Sequence, residues 1–131
     1  MKYYFSTTIK NESFDTVKEK VILALKKEGF GVLTNINIKQ TFKKKLDVDF
    51  KPYEILGACN PDFAYKALQA EDKIGIMLPC NVIIEQDEDE SITVAVVDPI
   101  ASMGAVENPN LEGIAQEVQQ KLKRIIDLLK N

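Results

Sequence analysis

Apolar side chains recur along the chain with two alternating periods. Residues 1–9 alternate between apolar and polar side chains, which predicts a first strand. The next apolar positions recur every three or four residues and predict an amphipathic helix from about residue 13 to 28. Ser13 is suited to cap its start, and Gly29 lies where a helix end commonly needs a positive φ. Alternation returns over residues 30–38 and predicts a second strand.

The middle of the chain combines short apolar runs with strong turn signals. Residues 39–50 place two apolar side chains four apart and predict a short helix, and residues 53–58 predict a strand. Asn-Pro-Asp at 60–62 predicts the start of a helix over 61–70, with the Asn side chain as its cap. The apolar stretch 74–78 predicts a buried strand. A strand, a helix and a strand in this order predict a parallel crossover.

The last third predicts a hairpin and a closing helix. Residues 82–85 and 92–97 are strand-like and flank an acidic turn at 87–90. A loop follows over 98–109, and a stripe of apolar side chains predicts the last helix. The whole chain, 1–131, is therefore predicted as one α+β domain, with a mixed, largely antiparallel sheet and helices packed on one face.

Composition narrows the possible functions. The chain of 131 residues has 45% hydrophobic residues and a net charge of −3, which gives no electrostatic reason to bind nucleic acid or an anionic membrane. It contains no histidine, which excludes Ser-His and Cys-His catalytic pairs and imidazole metal ligands. The N-terminus lacks the pattern of a signal peptide, and no apolar stretch is long enough to span a bilayer. We expect a cytoplasmic protein with reduced cysteines.

The two cysteines are the main candidates for chemistry. Cys59 and Cys80 are each followed by Asn, and the predicted crossover places both at the same end of the sheet. Cys59 precedes a helix start, whose dipole favours an anion, so it is a plausible reactive thiol. No metal or cofactor is predicted, because two thiols without histidine are too few ligands for a zinc-type site. A soft monovalent ion held by two sulfurs, and inert buried thiols, both stay open.

Several segments carry a family resemblance. Residues 45–61, with Gly-Ala-Cys-Asn-Pro at their end, residues 75–82, with Leu-Pro-Cys-Asn-Val, and Asp98-Pro99 resemble motifs of a small bacterial and archaeal family known as domain of unknown function 302. The resemblance implies an α+β fold likened to one decorated saddle unit of the TATA-binding protein, associating as a homodimer and without DNA binding. It also implies a functional cluster of Cys59, Asn60, Pro79, Cys80 and Asn81, with Lys45, Tyr53 and Asp98 as outer candidates.

Three functions follow from these observations. The first is a domain that binds a small ligand at the two Cys-Asn motifs. The second is a thiol redox or sulfur-handling protein, in which Cys59 attacks and Cys80 resolves. The third is a structural or partner-binding dimer with silent thiols. Whether the protein is an enzyme stays open at this point, since the family resemblance implies no established activity.

Overall fold

Five strands of the computed structural model, which describes residues 2–130, form one antiparallel sheet in the order β1-β5-β4-β3-β2. Every strand pair in that sheet is antiparallel. The strands are β1 (Tyr4–Ile9), β2 (Gly31–Asn37), β3 (Tyr53–Cys59), β4 (Cys80–Gln86) and β5 (Ile92–Val97).

Five α-helices connect or follow the strands. They are α1 (Phe14–Lys27), α2 (Ile38–Leu46), α3 (Pro61–Ala70), α4 (Pro99–Met103) and α5 (Pro109–Leu129). Two 3₁₀ helices, Asp72–Met77 and Gly104–Val106, complete the described elements. Among the helices described, none is both long and apolar enough to cross a bilayer.

The core lies between one face of the sheet and the two longest helices, α1 and α5. Alternate residues of the central strands, such as Leu56 and Ile84, are fully buried, and they share one hydrophobic cluster with Val21 of α1 and Leu122 of α5. Burying such side chains contributes roughly 1.5–3 kcal/mol each relative to leaving them exposed. The predicted α+β class, with helices on one face of a largely antiparallel sheet, is confirmed.

Both the start and the end of α1 agree with the sequence prediction. Ser13 accepts a hydrogen bond from the Thr16 backbone N–H at 3.1 Å, and this satisfies one of the free amides at the start of α1. Gly29 has φ of +85°, a conformation that favours glycine, and it turns the chain directly into β2.

Three predictions that involve residues 70–110 are wrong. Residues 74–78 fall largely in a 3₁₀ helix and not in a strand, because only Ile74 of this run is buried and Ile76 is 80% exposed. The predicted parallel crossover is therefore absent, and β3 pairs with β4 in the antiparallel sense. The predicted loop 98–109 contains α4, whose first turn is capped by Asp98, and a 3₁₀ turn.

Candidate functional site

Both thiols lie at one end of the β3–β4 pair. Cys59 is the last residue of β3, Cys80 is the first residue of β4, and Cys80 lies directly opposite Ala58. The thiols thus meet at the same sheet end although the strands run antiparallel, because β4 begins where β3 ends. Cys59 is half-buried, Cys80 is 8% exposed, and both are free thiols.

An apolar pocket of about 290 Å³ opens beside the two thiols. Its wall includes Cys59, Cys80 and Pro79 from the sheet end and Phe63 from α3, and further residues come from β2, α4 and α5. Leu33 and Leu68 also line it and are exposed, so the pocket reaches the surface. Its volume lies at the lower limit of small-ligand sites, and its mostly apolar wall with few polar groups is typical of them.

Asn60 is the one amide side chain in this wall, and its hydrogen bond differs from the one that the sequence predicts. Its backbone carbonyl accepts from Ala64 N–H as a helix cap does, but its side chain makes no capping hydrogen bond. Instead its Nδ2 donates to the backbone carbonyl of Glu28 at 3.3 Å. Asn60 therefore ties the start of α3 to the end of α1. The absence of a side chain on Gly29 permits this, because a Cβ there would lie 3.0 Å from Asn60 Nδ2.

Because Gly57 has no side chain, Pro79 can pack closely against the outer face of the sheet. A Cβ on Gly57 would lie 2.2 Å from Thr34 Oγ1 and 2.8 Å from Pro79 Cγ, distances at which the neighbours would have to move. The missing side chain thus lets the chain that leads into Cys80 pass close over β3.

Burial controls the protonation of the inner thiol. Removal from water is the larger cause, and the neighbouring Cys59 the smaller, of a rise in the pKa of Cys80 from 9.0 to about 11. The Cys80 thiol is consequently protonated near neutral pH. It therefore packs as a small hydrophobic group and is a weak nucleophile at this pH.

Four other residues that the resemblance implies lie outside this pocket wall. Asn81 is exposed and lies opposite Gly57 on the outer face, and Lys45 is exposed in the last turn of α2. Tyr53 begins β3 and so lies about 20 Å from Cys59 along the strand. Asp98 caps α4 by accepting from Ile100 N–H and also accepts from Gln119, both at 3.0 Å. The structure therefore brings together Cys59, Asn60, Pro79 and Cys80 and separates them from Asn81, Lys45, Tyr53 and Asp98.

The sequence analysis did not predict the part of the pocket wall that comes from α3, α4 and α5. Phe63 and Met103 line the pocket, and so do Ile114 and Val118 of α5. The stripe on α5 is visible in the sequence, but it indicates burial and not which cavity it faces. Met103 falls in the predicted loop, and no signal in the sequence indicates that it lies near the thiols.

A second, larger groove lies between α4 and α5, with a volume of about 520 Å³. It shares Met103 with the thiol-lined pocket, but its wall also contains Glu107 and Glu112. Neither cysteine lines it. Because both cysteines line the smaller pocket, it is the stronger candidate for the functional site.

A single antiparallel sheet with helices on one face, and an apolar pocket at a sheet end, define the class of this protein as a small α+β domain. The family model described as domain of unknown function DUF302 matches residues 5–129, and the chain belongs to this family. A crystal structure of an uncharacterized conserved DUF302 protein from Bacillus stearothermophilus is similar, with a TM-score of 0.90 and 25% sequence identity. The similarity covers 98% of this chain and 99% of that one. No curated protein matches the chain.

Proposed function

We propose that this protein binds a small ligand of low polarity in the pocket between β3, β4 and α3. The observation that carries the proposal is the pocket itself, whose mostly apolar wall holds two free thiols and one amide side chain. The apolar wall would supply most of the binding free energy, while Asn60 and the partly accessible Cys59 would orient the ligand. Two free cysteines in one pocket agree with a reducing, cytoplasmic location.

The proposal is tested with the neutral fluorescent dye N-phenyl-1-naphthylamine. We expect saturable binding to the native protein and slower alkylation of Cys59 by iodoacetamide when the dye is bound. Ala64→Phe should abolish both effects, because Ala64 lines the pocket and the larger ring would fill it. Gln69→Phe adds the same ring at an exposed position on the same helix and should change neither. Equal dye binding by the two variants would contradict the proposal.

A thiol redox role is the second candidate, and it is supported by the placement of both cysteines on one pocket. In such a reaction the Cys59 thiolate would attack a disulfide substrate, form a mixed disulfide with one of its sulfurs and release the other as a thiol. Cys80 would then displace the substrate thiol, so that two thiols become one disulfide. The raised pKa of Cys80 slows the second step and makes this candidate weaker than ligand binding. Cys80→Ser should trap the mixed disulfide, and unchanged thiol counts after mild oxidation would exclude the reaction.

We also propose that the protein forms a homodimer through the outer face of the sheet. A row of aliphatic side chains crosses four strands there, since Ile36 pairs with Ile55, Ile55 with Ile83, and Ile83 with Ala95. A second copy related by a twofold axis would cover this row with the same row. Sedimentation velocity should show a dimer that Ile83→Lys converts to a monomer. Ile22→Lys, at an exposed position of α1, should remain a dimer, and a monomeric native protein would contradict the proposal.

A further inference from the structure

The groove between α4 and α5 is a second cavity with a chemistry of its own. Its volume of about 520 Å³ lies well within the usual range of small-ligand sites. It is built by α4, by the turn that follows α4 and by the first two turns of α5. Because α5 packs on the inner face of the sheet, a homodimer through the outer face would leave this groove open.

The floor of the α4–α5 groove is apolar and buried. Met103 of α4 is 6% exposed, Leu111 of α5 is 2% exposed, and Ala115 follows Leu111 by one helical turn. These three side chains belong to one hydrophobic cluster. Ile100 also lines the groove and is 40% exposed, so the apolar surface continues towards solvent. The groove therefore offers an apolar ligand a surface that removes it from water.

The charged side chains that line the groove are both carboxylates. Glu107 directly precedes the N-cap of α5, Glu112 lies in the first turn of α5, and both are exposed. On α5, Glu112 and Gln116 are one turn apart and form a polar row beside the apolar row of Leu111 and Ala115. The groove thus has an apolar floor and an acidic rim.

No basic side chain neutralises this rim. Among residues 2–130, no lysine or arginine forms an ion pair with Glu107 or Glu112. Residues 74–120 contain no lysine or arginine, and Lys73 pairs with Asp72 at 2.9 Å. The positive end of the α5 dipole, equivalent to about half a unit charge, is smaller than the charge of two carboxylates. The rim therefore attracts cations.

We propose that the α4–α5 groove binds a small organic cation, with an ammonium group on an apolar chain or ring. The apolar body lies on Met103, Leu111 and Ala115, and the ammonium group lies at the rim with Glu107 and Glu112. Exposed carboxylates attract an ammonium group weakly in water, so the apolar floor supplies most of the affinity and the rim supplies selectivity for positive charge. An anion of the same shape should be rejected.

The test compares three ligands that share a phenyl ring and nearly the same chain length. They are the cation 4-phenylbutylamine, the neutral 4-phenylbutan-1-ol and the anion 4-phenylbutyrate. Each is titrated into the full ¹⁵N-labelled chain, and amide chemical shifts give both the affinity and the location. We expect shifts centred on residues 103–116, with the amine bound about threefold or more tighter than the alcohol and the anion weakest. Added salt should weaken the amine more than the alcohol.

Two charge variants test the rim. The double variant Glu107→Gln/Glu112→Gln should lower the affinity of the amine to that of the alcohol and leave the alcohol unchanged. Glu117→Gln is the control, because it removes a carboxylate from the same helix that does not line the groove. It should leave the amine more tightly bound than the alcohol.

Two glycine variants test the floor. Gly104 lines the groove, and a Cβ there meets no atom within 4 Å, so Gly104→Phe places its ring in open space beside the floor. This variant should abolish the shifts caused by all three ligands. Gly113→Phe adds the same ring at an equally open position of α5 outside the groove wall, and it should bind as the native protein does.

Three results would overturn the cation site: an amine bound no more tightly than the alcohol, an amine unaffected by the loss of both carboxylates, or shifts centred on residues 58–64. The last result would place the ligands in the thiol-lined pocket. Spectra without ligand show whether each variant is folded, and Glu107→Ala/Glu112→Ala replaces a double variant that is not. The α4–α5 groove and the thiol-lined pocket are tested by different ligands and variants, so either site can fail while the other stands.

Discussion

The two ends of the β3–β4 pair differ in the partners that their polar side chains have. At the end near Tyr53, Glu54 is 8% exposed and its Oε1 accepts from Lys18 Nζ at 2.7 Å and from Asn35 Nδ2 at 2.9 Å. On the outer face of that end, Lys51 pairs with Glu85. At the other end Cys59 and Cys80 line an apolar pocket whose wall holds no charged side chain. We call these regions the ion-pair end and the thiol end.

The difference indicates which end serves the fold and which serves a ligand. Buried polar groups that are fully paired stabilise one arrangement of the chain, and their removal is felt as lost stability. Groups that border an open cavity leave their bonding capacity to a ligand. Near neutral pH, substitutions should therefore affect stability most at the ion-pair end and binding most at the thiol end.

Lys18→Met should have the largest effect on stability. The substitution keeps the apolar stem of residue 18 but leaves the Glu54 carboxylate with one amide donor in a largely buried place. We expect the free energy of unfolding to fall by about 1–3 kcal/mol, the usual cost of a buried polar group that loses a partner. Urea denaturation at neutral pH measures this change.

Two further variants test the cause. Lys43→Met removes a lysine that pairs with exposed Asp47 and Asp49, and it should change stability by less than about 1 kcal/mol. The double variant Lys18→Met/Glu54→Leu removes both charges and should recover much of the loss, since a buried ion pair is often replaceable by apolar side chains. A double variant less stable than Lys18→Met would show that Glu54 stabilises the fold through another contact.

Stability should also fall at alkaline pH because of the thiol end. The Cys80 pKa rises from 9.0 to about 11 on folding, so the folded chain holds this proton more tightly than the unfolded chain. The stabilisation is fully present below about pH 9 and is lost as pH rises towards 11. Integrated over that interval, it amounts to about 2 kcal/mol. Urea denaturation of the native protein at a series of pH values measures this loss.

Cys80→Ala isolates this contribution from the lysines and tyrosines that titrate in the same range. Between pH 9 and 11 the native protein should lose about 2 kcal/mol more than this variant. Cys59→Ala should retain most of the native loss, because burial is the larger cause of the shift. Parallel pH curves for the native protein and Cys80→Ala would show that the inner thiol is not buried as the structure has it.

Much of the fold follows from local patterns in the sequence. Residues 14–27 show helical spacing with a capping Ser13 and a terminal Gly29, and both ends of α1 lie within a residue or two of the prediction. Residues 74–78 show where this approach fails. A short apolar run has no period that separates a strand from a helical turn, and its assignment depends on tertiary packing that buries only Ile74. For the same reason the sequence predicts a loop where the structure has the short helix α4.

Only the part of the site at the end of the sheet could be predicted from the sequence. The sequence puts Cys59 and Cys80 each after a predicted strand and brings them together through a parallel crossover. In the structure β3 and β4 are antiparallel, and the two cysteines meet because β4 begins at Cys80 where β3 ends at Cys59. Met103 and Phe63 reach the pocket through the packing of α3, α4 and α5, which no local pattern encodes. Asn60 shows a different limitation, because a capping residue and one that contacts a distant carbonyl have the same sequence signal.

Arg124→Gln should have the smallest effect on the free energy of unfolding. Arg124 lies at the surface and pairs with Glu28, the residue whose backbone carbonyl contacts Asn60. Glu28 accepts hydrogen bonds from Arg124 Nε at 3.1 Å and from Nη2 at 2.9 Å, and its backbone carbonyl accepts from Asn60. The hydrogen bond from Arg124 lowers the pKa of Glu28 below 4.5, and the charges of Arg124 and Lys121 lower it further. A lowered carboxyl pKa stabilises the fold above the unfolded pKa, and this stabilisation is lost as pH falls below about 4.5.

The native protein should therefore exceed Arg124→Gln in stability at neutral pH by less than Lys18→Met costs, because Arg124 is solvated. The two proteins should converge in acid, where Glu28 is protonated in both. Lys26→Gln removes a charge from the last turn of α1 without touching Glu28 and should give a difference that does not vanish with pH. If the Arg124→Gln difference persists unchanged below pH 4, the ion pair is not its cause. Dye binding by this variant should equal the native value, since the ion pair lies outside the pocket wall.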